Sequence, residues 1–433
     1  MNILVIGSGG REHALVWALR RSPGVRRIIC APGNPGIEDL AEIVPVRVDD
    51  IAELQALAGR ERCDLTVVGP EVPLARGIVD AFRAAGLVVF GPTRDAAELE
   101  WSKAFAKGFM ERHNIPTARH AVVTQEDREH AHRTLRSFTL PVVLKADGLA
   151  AGKGVVICTR EEDALAGLDA MLDGSAFGAA GARVVIEEFL TGEEASVFAI
   201  TDGTSSVLLA PAQDHKRALD GDAGKNTGGM GAYAPAPVVT AAVMRTVEES
   251  ILRPTLAGMA AEGRPYTGCL YIGLMLTAQG PKVIEYNCRF GDPETQVVLP
   301  LFRGDLARML WEAAAGHLEA TAHPSWRPDD TETAACVVLA AGGYPDHYES
   351  GDPISGLEAV RTLPDVVAFH AGTRRTDAGV VTAGGRVLGV TAIERSAGFA
   401  AAIARCYDAV KQIHFDHMHY RRDIGHRALQ SRH

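Results

Sequence analysis

Residues 144–154 read Leu144-Lys145-Ala146-Asp147-Gly148-Leu149-Ala150-Ala151-Gly152-Lys153-Gly154. β-rich runs flank this stretch, Pro141 to Ala146 before it and Gly154 to Thr159 after it. It therefore reads as a glycine-rich hairpin between two strands. A Walker A loop is excluded. The spacing before Gly152-Lys153 is one residue short, Gly154 stands where Ser or Thr is needed, and such a loop joins a strand to a helix. A glycine-rich hairpin can instead fold over a polyphosphate, with backbone donors and a lysine at each end neutralising oxygens. Alone, the stretch reads equally as an exposed hairpin with solvated lysines.

Outward from the hairpin the chain changes character twice. Before about Glu100, the apolar runs Asn2 to Ile6, Arg27 to Cys30, Leu65 to Val68 and Leu87 to Phe90 alternate with helical spacing. Each run ends in Gly or Pro, so a parallel α/β sheet is expected. A helix over about Ser102 to Arg112 follows, stopping before Ile115-Pro116. Arg183 to Phe189, Ala195 to Thr201, Leu270 to Thr277 and Lys282 to Asn287 are further strands, the last two turning at Gln279-Gly280. This middle part is α+β with antiparallel sheets. Ser325 to Asp330 is polar and contains Pro328, a natural boundary. Beyond it come strands at Ala334 to Ala341, Val366 to His370 and Arg386 to Ala392, and a helix at Ala397 to Ile413.

Four other stretches carry polar groups in patterns suited to a ligand. Gly7-Ser8-Gly9-Gly10 follows a strand and opens a helix, where backbone N–H groups and the helix dipole favour an anion. A dinucleotide fingerprint would need glycine at position 12, where Glu12 stands, so a phosphate, a polar substrate or a plain tight turn are the readings left. Ile186-Glu187-Glu188-Phe189-Leu190 ends a strand, with Gly192-Glu193-Glu194 after it. Such a segment can hold an adenine on backbone groups and a ribose on a carboxylate, or can simply be solvated. Glu285 and Asn287 share one face of a strand, as period-two spacing requires. They supply two hard oxygen ligands suited to Mg²⁺, and Arg289, on the same face if the strand continues, suits an anionic substrate or a developing phosphoryl charge; a merely solvated polar face is the other reading. Gln213 to Arg217 and Asn226 to Tyr233 flank a Gly/Asp-rich segment that reads as a loop closing over a ligand, or as an exposed loop. His414, Asp416, His417 and His419 have no matching second cluster and read as a partly exposed helix end rather than a metal site.

Composition bounds these readings. The 433 residues allow about three domains. With 47% hydrophobic and 23% charged residues, the chain is neither disordered nor fibrous. Its net charge of -10 argues against binding nucleic acid or an anionic membrane. Seven scattered cysteines, none at Cys-x-x-Cys spacing, read as reduced thiols. The Asn2 to Ile6 run is too short for a signal-peptide core, and no apolar run nears the ~18 residues of a membrane helix. A cytoplasmic protein is expected.

A glycine-rich hairpin with two lysines, an acidic strand end and a later Glu-x-Asn pair resemble the ATP-grasp superfamily. Val5 to Ala14, Val68-Gly69-Pro70-Glu71, Lys145 to Gly154, Gln213 to Arg217, Asn226 to Tyr233 and Glu285 to Thr295 together resemble the phosphoribosylamine–glycine ligase family, over about residues 3–427. The resemblance implies an N-terminal α/β substrate-binding domain at 1–101 and an ATP-grasp domain at 102–325 with a mobile lid at about 124–194. A small β-rich C-terminal domain would span 326–433. It implies a monomer that ligates glycine to 5-phosphoribosylamine in de novo purine synthesis, using ATP and Mg²⁺ or Mn²⁺ and passing through glycyl phosphate.

Roles follow by position. Lys103, Lys145 and Lys153 would meet the ATP phosphates, with Gly152 and Gly154 in the lid. Glu187, Glu188, Phe189 and Leu190 would surround the adenine, and Glu194 would take the ribose. Glu285 and Asn287 would hold the metal. Arg289 would stabilise the transferring phosphoryl group or the acyl phosphate, so that Arg289, Lys145 and Lys153 form the catalytic set. Gly9, Gly10, Glu71 and Asp292 would bind phosphoribosylamine, with Asp214 and Lys216 as further substrate contacts. One departure stands out. Many ATP-grasp enzymes carry an acid on the strand before the metal pair, but Tyr271-Ile272-Gly273-Leu274-Met275-Leu276 has none. A second ion would then rely on phosphates and water.

Overall fold

The computed structural model describes residues 1–148, 154–173, 183–327 and 330–430. The chain begins with a parallel sheet ordered Glu42–Ile43, Arg27–Pro32, Asn2–Gly7, Leu65–Val68, Val89–Phe90. Asn2–Gly7 lies at its centre, and its residues Ile3 to Ile6 are fully buried, which explains why the run is apolar throughout. Strand order reverses beside this strand, so the C-terminal ends of Asn2–Gly7 and Leu65–Val68 open a crevice. Ligands of open α/β sheets bind at such a point. Gly7 and Glu71, 64 residues apart in sequence, are thereby brought to one edge.

Two antiparallel four-stranded sheets follow. One is ordered His120–Thr124, Arg183–Glu188, Val142–Ala146, Val155–Cys158. Helices Arg128–Arg136 and Glu161–Leu172 pack on it around a separate core that includes Val123, Leu135, Leu144, Leu168 and Ile186. The other is ordered Ser206–Leu208, Glu193–Thr201, Gly268–Thr277, Gly280–Asn287. Its apolar face shares its core with the N-terminal sheet. Residues 189–192 join the two sheets. The strand pairs around the hairpin and at Gln279-Gly280 are antiparallel, as their spacing predicts. His120–Thr124 is a strand that the sequence reading omits, since a five-residue run beside Pro116 carries little periodic signal.

The last sheet departs from expectation. It runs Gln213–Asp214, Gly231–Ala234, Thr333–Ala340, Arg386–Glu394, Val366–His370. Two of its strands come from the segment read as a loop. Gly231–Ala234 pairs antiparallel with Thr333–Ala340, with Ala232 opposite Cys336. Between them, Arg217–Leu219 and Ala223–Asn226 make a short hairpin. Fully buried Arg421 holds that hairpin, donating from Nη1 to Asp222 Oδ1 at 2.8 Å and to the Arg217 carbonyl at 3.2 Å. The two strands are two and four residues long and flank a Gly/Asp-rich segment, and the strand that joins Gly231–Ala234 to the rest of the sheet lies about 100 residues away, so no local pattern reveals them. Helix Phe399–Val410 packs on this sheet through Cys406, Ala409 and Val410. All seven cysteines are free. Among the described residues no helix is long and apolar enough to cross a membrane.

The junction of Gly231–Ala234 with Thr333–Ala340 has no room for a side chain. A Cβ on Gly231 would lie 2.6 Å from the Cys336 carbonyl oxygen and 2.7 Å from Ile424 Cδ1. Gly231→Ala should therefore destabilise the protein by about 1–3 kcal/mol, read as a lower urea midpoint. Gly24→Ala, with no neighbour within 4 Å, should shift it by less than about 0.5 kcal/mol. Equal midpoints for the two variants would contradict the tight junction.

Candidate active site

The crevice of the N-terminal sheet is already filled by one carboxylate. Glu12 Oε2 accepts from the Gly9 N–H at 2.6 Å, and Glu12 Oε1 accepts from Arg11 Nε at 2.6 Å. A Cβ on Gly7 or Gly69 would come within 2.3 Å and 2.1 Å of Glu12. These glycines make space for Glu12 instead of a pyrophosphate, which explains the broken fingerprint. Arg11 also donates to the Phe290 carbonyl at 3.3 Å and lies 3.9 Å from Glu71. Thus the glycine turn, the Glu71 segment and the 289–292 segment meet at one guanidinium.

Arg289 sits on the other side of Glu71. Its Nε is 3.4 Å from Glu71 Oε2 and its Nη2 is 2.9 Å from Glu100 Oε1. Burial works to lower the Arg289 pKa, but Glu100 and Glu71 outweigh it and hold the group above its usual range. Burial likewise opposes ionisation of Glu71, yet Arg289 and Arg11 keep it below the usual carboxylate range. Asp292 completes this corner. A Cβ on Gly9 would be 3.6 Å from Asp292 Oδ2, and one on Gly10 would be 2.6 Å from Gln296 Nε2, which itself donates to Asp292 Oδ1 at 2.8 Å. Arg386, from the C-terminal sheet, reaches Asp292 Oδ2 at 3.2 Å and donates to the carbonyls of Gly228 and Asp292. Gly9, Gly10, Glu71, Arg289 and Asp292 are therefore one cluster.

A second group of charges lies between the two antiparallel sheets. Ser102 caps helix Lys103–Arg112, accepting from the Phe105 N–H. Asp147, at the end of its strand, accepts from Ser102 Oγ and from the Ala104 N–H. That capping directs Lys103 toward the hairpin, where its Nζ donates to the Gly148 carbonyl at 3.1 Å. Lys145 Nζ donates to the Ile284 carbonyl at 3.1 Å and pairs with Glu187 Oε1 at 2.9 Å. Burial lowers the Lys103 pKa, with Glu285 pulling the other way. Gly152 and Lys153 lie outside the described residues. The Gly154 carbonyl accepts from the Ala146 N–H at 2.9 Å, closing the base of the hairpin.

The strand end assigned to the nucleotide base has mixed duties. The Glu187 carboxylate is buried between Lys145 and Lys107, so its side chain faces inward. Glu188 Oε1 accepts from the Arg119 N–H at 3.0 Å and from Lys282 Nζ at 3.3 Å. Phe189 is exposed and Leu190 half-buried, at the junction of the two sheets. Glu194 pairs with Lys216 at 2.8 Å, and Lys216 in turn approaches Glu285 at 3.9 Å.

Glu285 faces Gly273 across the strand pair, and Asn287 faces Tyr271. A Cβ on Gly273 would be 3.0 Å from Glu285 Cγ, so glycine gives this carboxylate its space. Burial opposes ionisation of Glu285, but Lys216, Lys145 and Lys103 keep it below the usual range. An ionised carboxylate and an amide two residues apart suit a hard divalent cation. No group of three His, Cys, Asp or Glu among the described residues could hold a metal. A two-ligand site completed by phosphates fits that chemistry.

Two further acids behave oppositely. Burial pushes Asp214 up to about 7, against the pull of Lys216. Burial also raises Glu294, whose Oε1 accepts from Tyr271 OH at 3.0 Å while Ser196 Oγ donates to that same phenol at 2.7 Å. Sequence reading missed Lys107, Glu100, Glu294, Gln296, Arg386 and the inward role of Glu12. Lys107 was findable, one helical turn after Lys103 and hence on the same face. Glu294 and Gln296 lie in or beside a stretch already singled out. Arg386 sits 94 residues from Asp292, and no local pattern ties the two.

Comparison with known proteins places this arrangement. Residues 1–100, 101–295 and 334–427 match in turn the N domain, the ATP-grasp (A) domain and the C domain of phosphoribosylglycinamide synthetase. A phosphoribosylamine–glycine ligase of Vibrio vulnificus is 52% identical over 432 residues, 99% of each chain. One from Escherichia coli is 51% identical over 434 residues, again 99% of each. The crystal structure of phosphoribosylamine–glycine ligase from Thermotoga maritima superposes with a TM-score of 0.82 at 35% identity, covering 98% of this chain and all of that one. Matched along its whole length in domain order, in sequence and in fold, the chain belongs to the phosphoribosylamine–glycine ligase family of ATP-grasp enzymes in purine biosynthesis.

Proposed function

We propose that the protein joins glycine to 5-phosphoribosylamine with ATP, giving glycinamide ribonucleotide, ADP and phosphate through glycyl phosphate. One observation carries this reading. The segment 285–292 spans both charge clusters, with Glu285 facing Lys216, Lys145 and Lys103, Arg289 facing Glu71, and Asp292 facing the glycine turn. A phosphoryl donor at the first cluster and an amine at the second would meet along one short stretch of backbone. In this reading residues 102–325 carry the nucleotide, while residues 1–101 and 326–433 frame the amine substrate.

In the first step a glycine carboxylate oxygen attacks the γ-phosphorus. The bond from that phosphorus to the bridging oxygen breaks, and ADP leaves. In the second, the amine nitrogen attacks the acyl carbon, the acyl C–O bond breaks, phosphate leaves and the amine gives up a proton. Glu285 and Asn287 would hold a Mg²⁺ or Mn²⁺ ion, which when bound would offset the charge of the ATP phosphates. Lys103 and Lys145 orient the phosphate chain. Arg289, fixed by Glu71 and Glu100, presents positive charge where the phosphoryl oxygens pass. The half-buried Asp214 and buried Glu294 accept the glycine ammonium. Asp292 and Glu71, kept ionised by their arginines, orient the incoming amine. Positioning and charge neutralisation thus supply the rate, with no covalent bond to the protein.

Glu285→Ala should cut the phosphate release that needs both glycine and phosphoribosylamine by about 100-fold or more. Turnover within about threefold of the unaltered protein would reject the metal assignment.

A pH profile tests the glycine contact. Above about 7, Asp214 is a carboxylate and can hold an ammonium; below it the group is neutral and cannot. The kcat/KM for glycine should therefore fall about tenfold per unit as pH drops below that value. Asp214→Asn should lower kcat/KM and remove this acid limb. A wild-type profile flat between about pH 6 and pH 8 would contradict the assignment.

A further inference from the structure

Glu187 is a buried carboxylate shared by two buried lysines. Its Oε1 lies 2.9 Å from Lys145 Nζ and its Oε2 lies 3.0 Å from Lys107 Nζ. Relative exposures are 2% for Glu187, 2% for Lys107 and 6% for Lys145. The three come from different elements: helix Lys103–Arg112, strand Val142–Ala146 and strand Arg183–Glu188. Both lysines also reach the neighbouring sheet. Lys145 donates to the Ile284 carbonyl, while Lys107 donates to Thr117 Oγ1 at 2.7 Å, whose hydroxyl donates to the Val283 carbonyl at 2.7 Å. The trio therefore braces the nucleotide-facing sheet against the strand that carries Glu285 and Asn287.

Charge is the telling feature. Burying one carboxylate with one lysine would leave a neutral pair, and a lysine so engaged offers little to a phosphate. Adding a second lysine leaves the trio with one positive charge in excess. Lys107 itself is enclosed by Glu187 and Thr117, so it is badly placed to touch a nucleotide. Lys145 is the more exposed member, and it already faces the site.

We infer that Lys107 is a positioning residue for ATP, taking up one oxygen of Glu187 so that Lys145 keeps its positive charge available to the nucleotide phosphates. This rests on the proposal above that Lys145 meets those phosphates. Burial lowers Lys107 to about 8, against the pull of Glu187, so it remains a cation at neutral pH. Burial opposes ionisation of Glu187 as well, and Lys145 and Lys107 together keep it ionised. Without Lys107, Glu187 would have Lys145 as its one ion-pair partner among the described residues, and the trio's excess charge would vanish.

The test compares steady-state KM for ATP and kcat, at saturating glycine and phosphoribosylamine, in four full-length variants. Lys107→Met should raise KM for ATP about tenfold while kcat stays within about threefold. Lys107→Met combined with Glu187→Gln removes one charge of each sign and restores the excess positive charge, so KM should return to within about threefold of the unaltered enzyme. A purely structural role for Lys107 predicts the reverse, because the double variant loses two buried polar partners. Lys107→Gln, which still offers Glu187 a donor, carries the same expectation as Lys107→Met and keeps the test intact should the methionine variant fail to fold. Lys145→Met isolates the parent reading. Raised KM in Lys145→Met with unchanged KM in both Lys107 variants would overturn the inference alone. An equal or greater KM in the double variant than in Lys107→Met would also overturn it. Unchanged KM in Lys145→Met would remove the nucleotide contact on which it rests.

Discussion

A guanidinium paired with two carboxylates can shift only by leaving charge unpaired, and that cost grows as the pair is withdrawn from water. Arg289 is in that position between Glu71 and Glu100. The strand Gly280–Asn287, which ends two residues before Arg289, supplies Glu285 and Asn287, Glu71 stands at the crevice of the N-terminal sheet, and Glu100 precedes helix Lys103–Arg112. One side chain thus locks three segments whose relative placement defines both substrate regions. Glu100 adds a second tie, since its other oxygen accepts from the Cys288 N–H at 2.6 Å.

Around this lock the acids divide into two populations. Glu71, Glu285 and Asp292 are each held below the carboxylate range by arginines or lysines that outweigh burial. Asp214 and Glu294 are raised, because burial outweighs their cationic neighbours. The first set suits permanent charge, for a metal ion or for an amine to be oriented. Of the second, Asp214, pushed up to about 7, can be neutral or charged near neutral pH, which suits a site that receives and releases an ammonium group. One polypeptide thus gives the same functional group two behaviours by placing it beside different neighbours.

Apart from His120–Thr124, the strands with long apolar runs were legible in the sequence, because burial on both faces or alternate burial leaves a periodic trace. The N-terminal parallel sheet, the hairpin around residues 146–154 and the pair ending at Asn287 are of this kind. The strands at Gln213–Asp214 and Gly231–Ala234 were not legible, since they are very short, the segment between them suggests a turn, and Gly231–Ala234 depends on a distant partner, Thr333–Ala340. Among site residues, Lys145, Glu285, Asn287 and Arg289 could be singled out because they stand beside apolar runs at strand spacing. Their partners were harder to see. Arg386, Glu100 and Lys107 act through contacts that only the folded chain creates, and Glu12 looked like a defect in a familiar motif when it is the anion that fills the turn.

The pairing of Gly231–Ala234 with Thr333–Ala340 has a consequence for synthesis. As the chain leaves the ribosome, its N-terminal sheet has all its strands once Phe90 has emerged. Asp214 pairs within the segment 213–234, but that segment must wait roughly a hundred residues more for Thr333–Ala340, the strand that ties it into the sheet, and longer still for Arg421 to pin its hairpin. At about 5–20 residues per second that delay lasts many seconds. The sheet that includes Asp214 is therefore completed late, and an interrupted chain would lack it. Pairing between distant parts of the sequence thus ties the assembly of this segment to completion of the polypeptide.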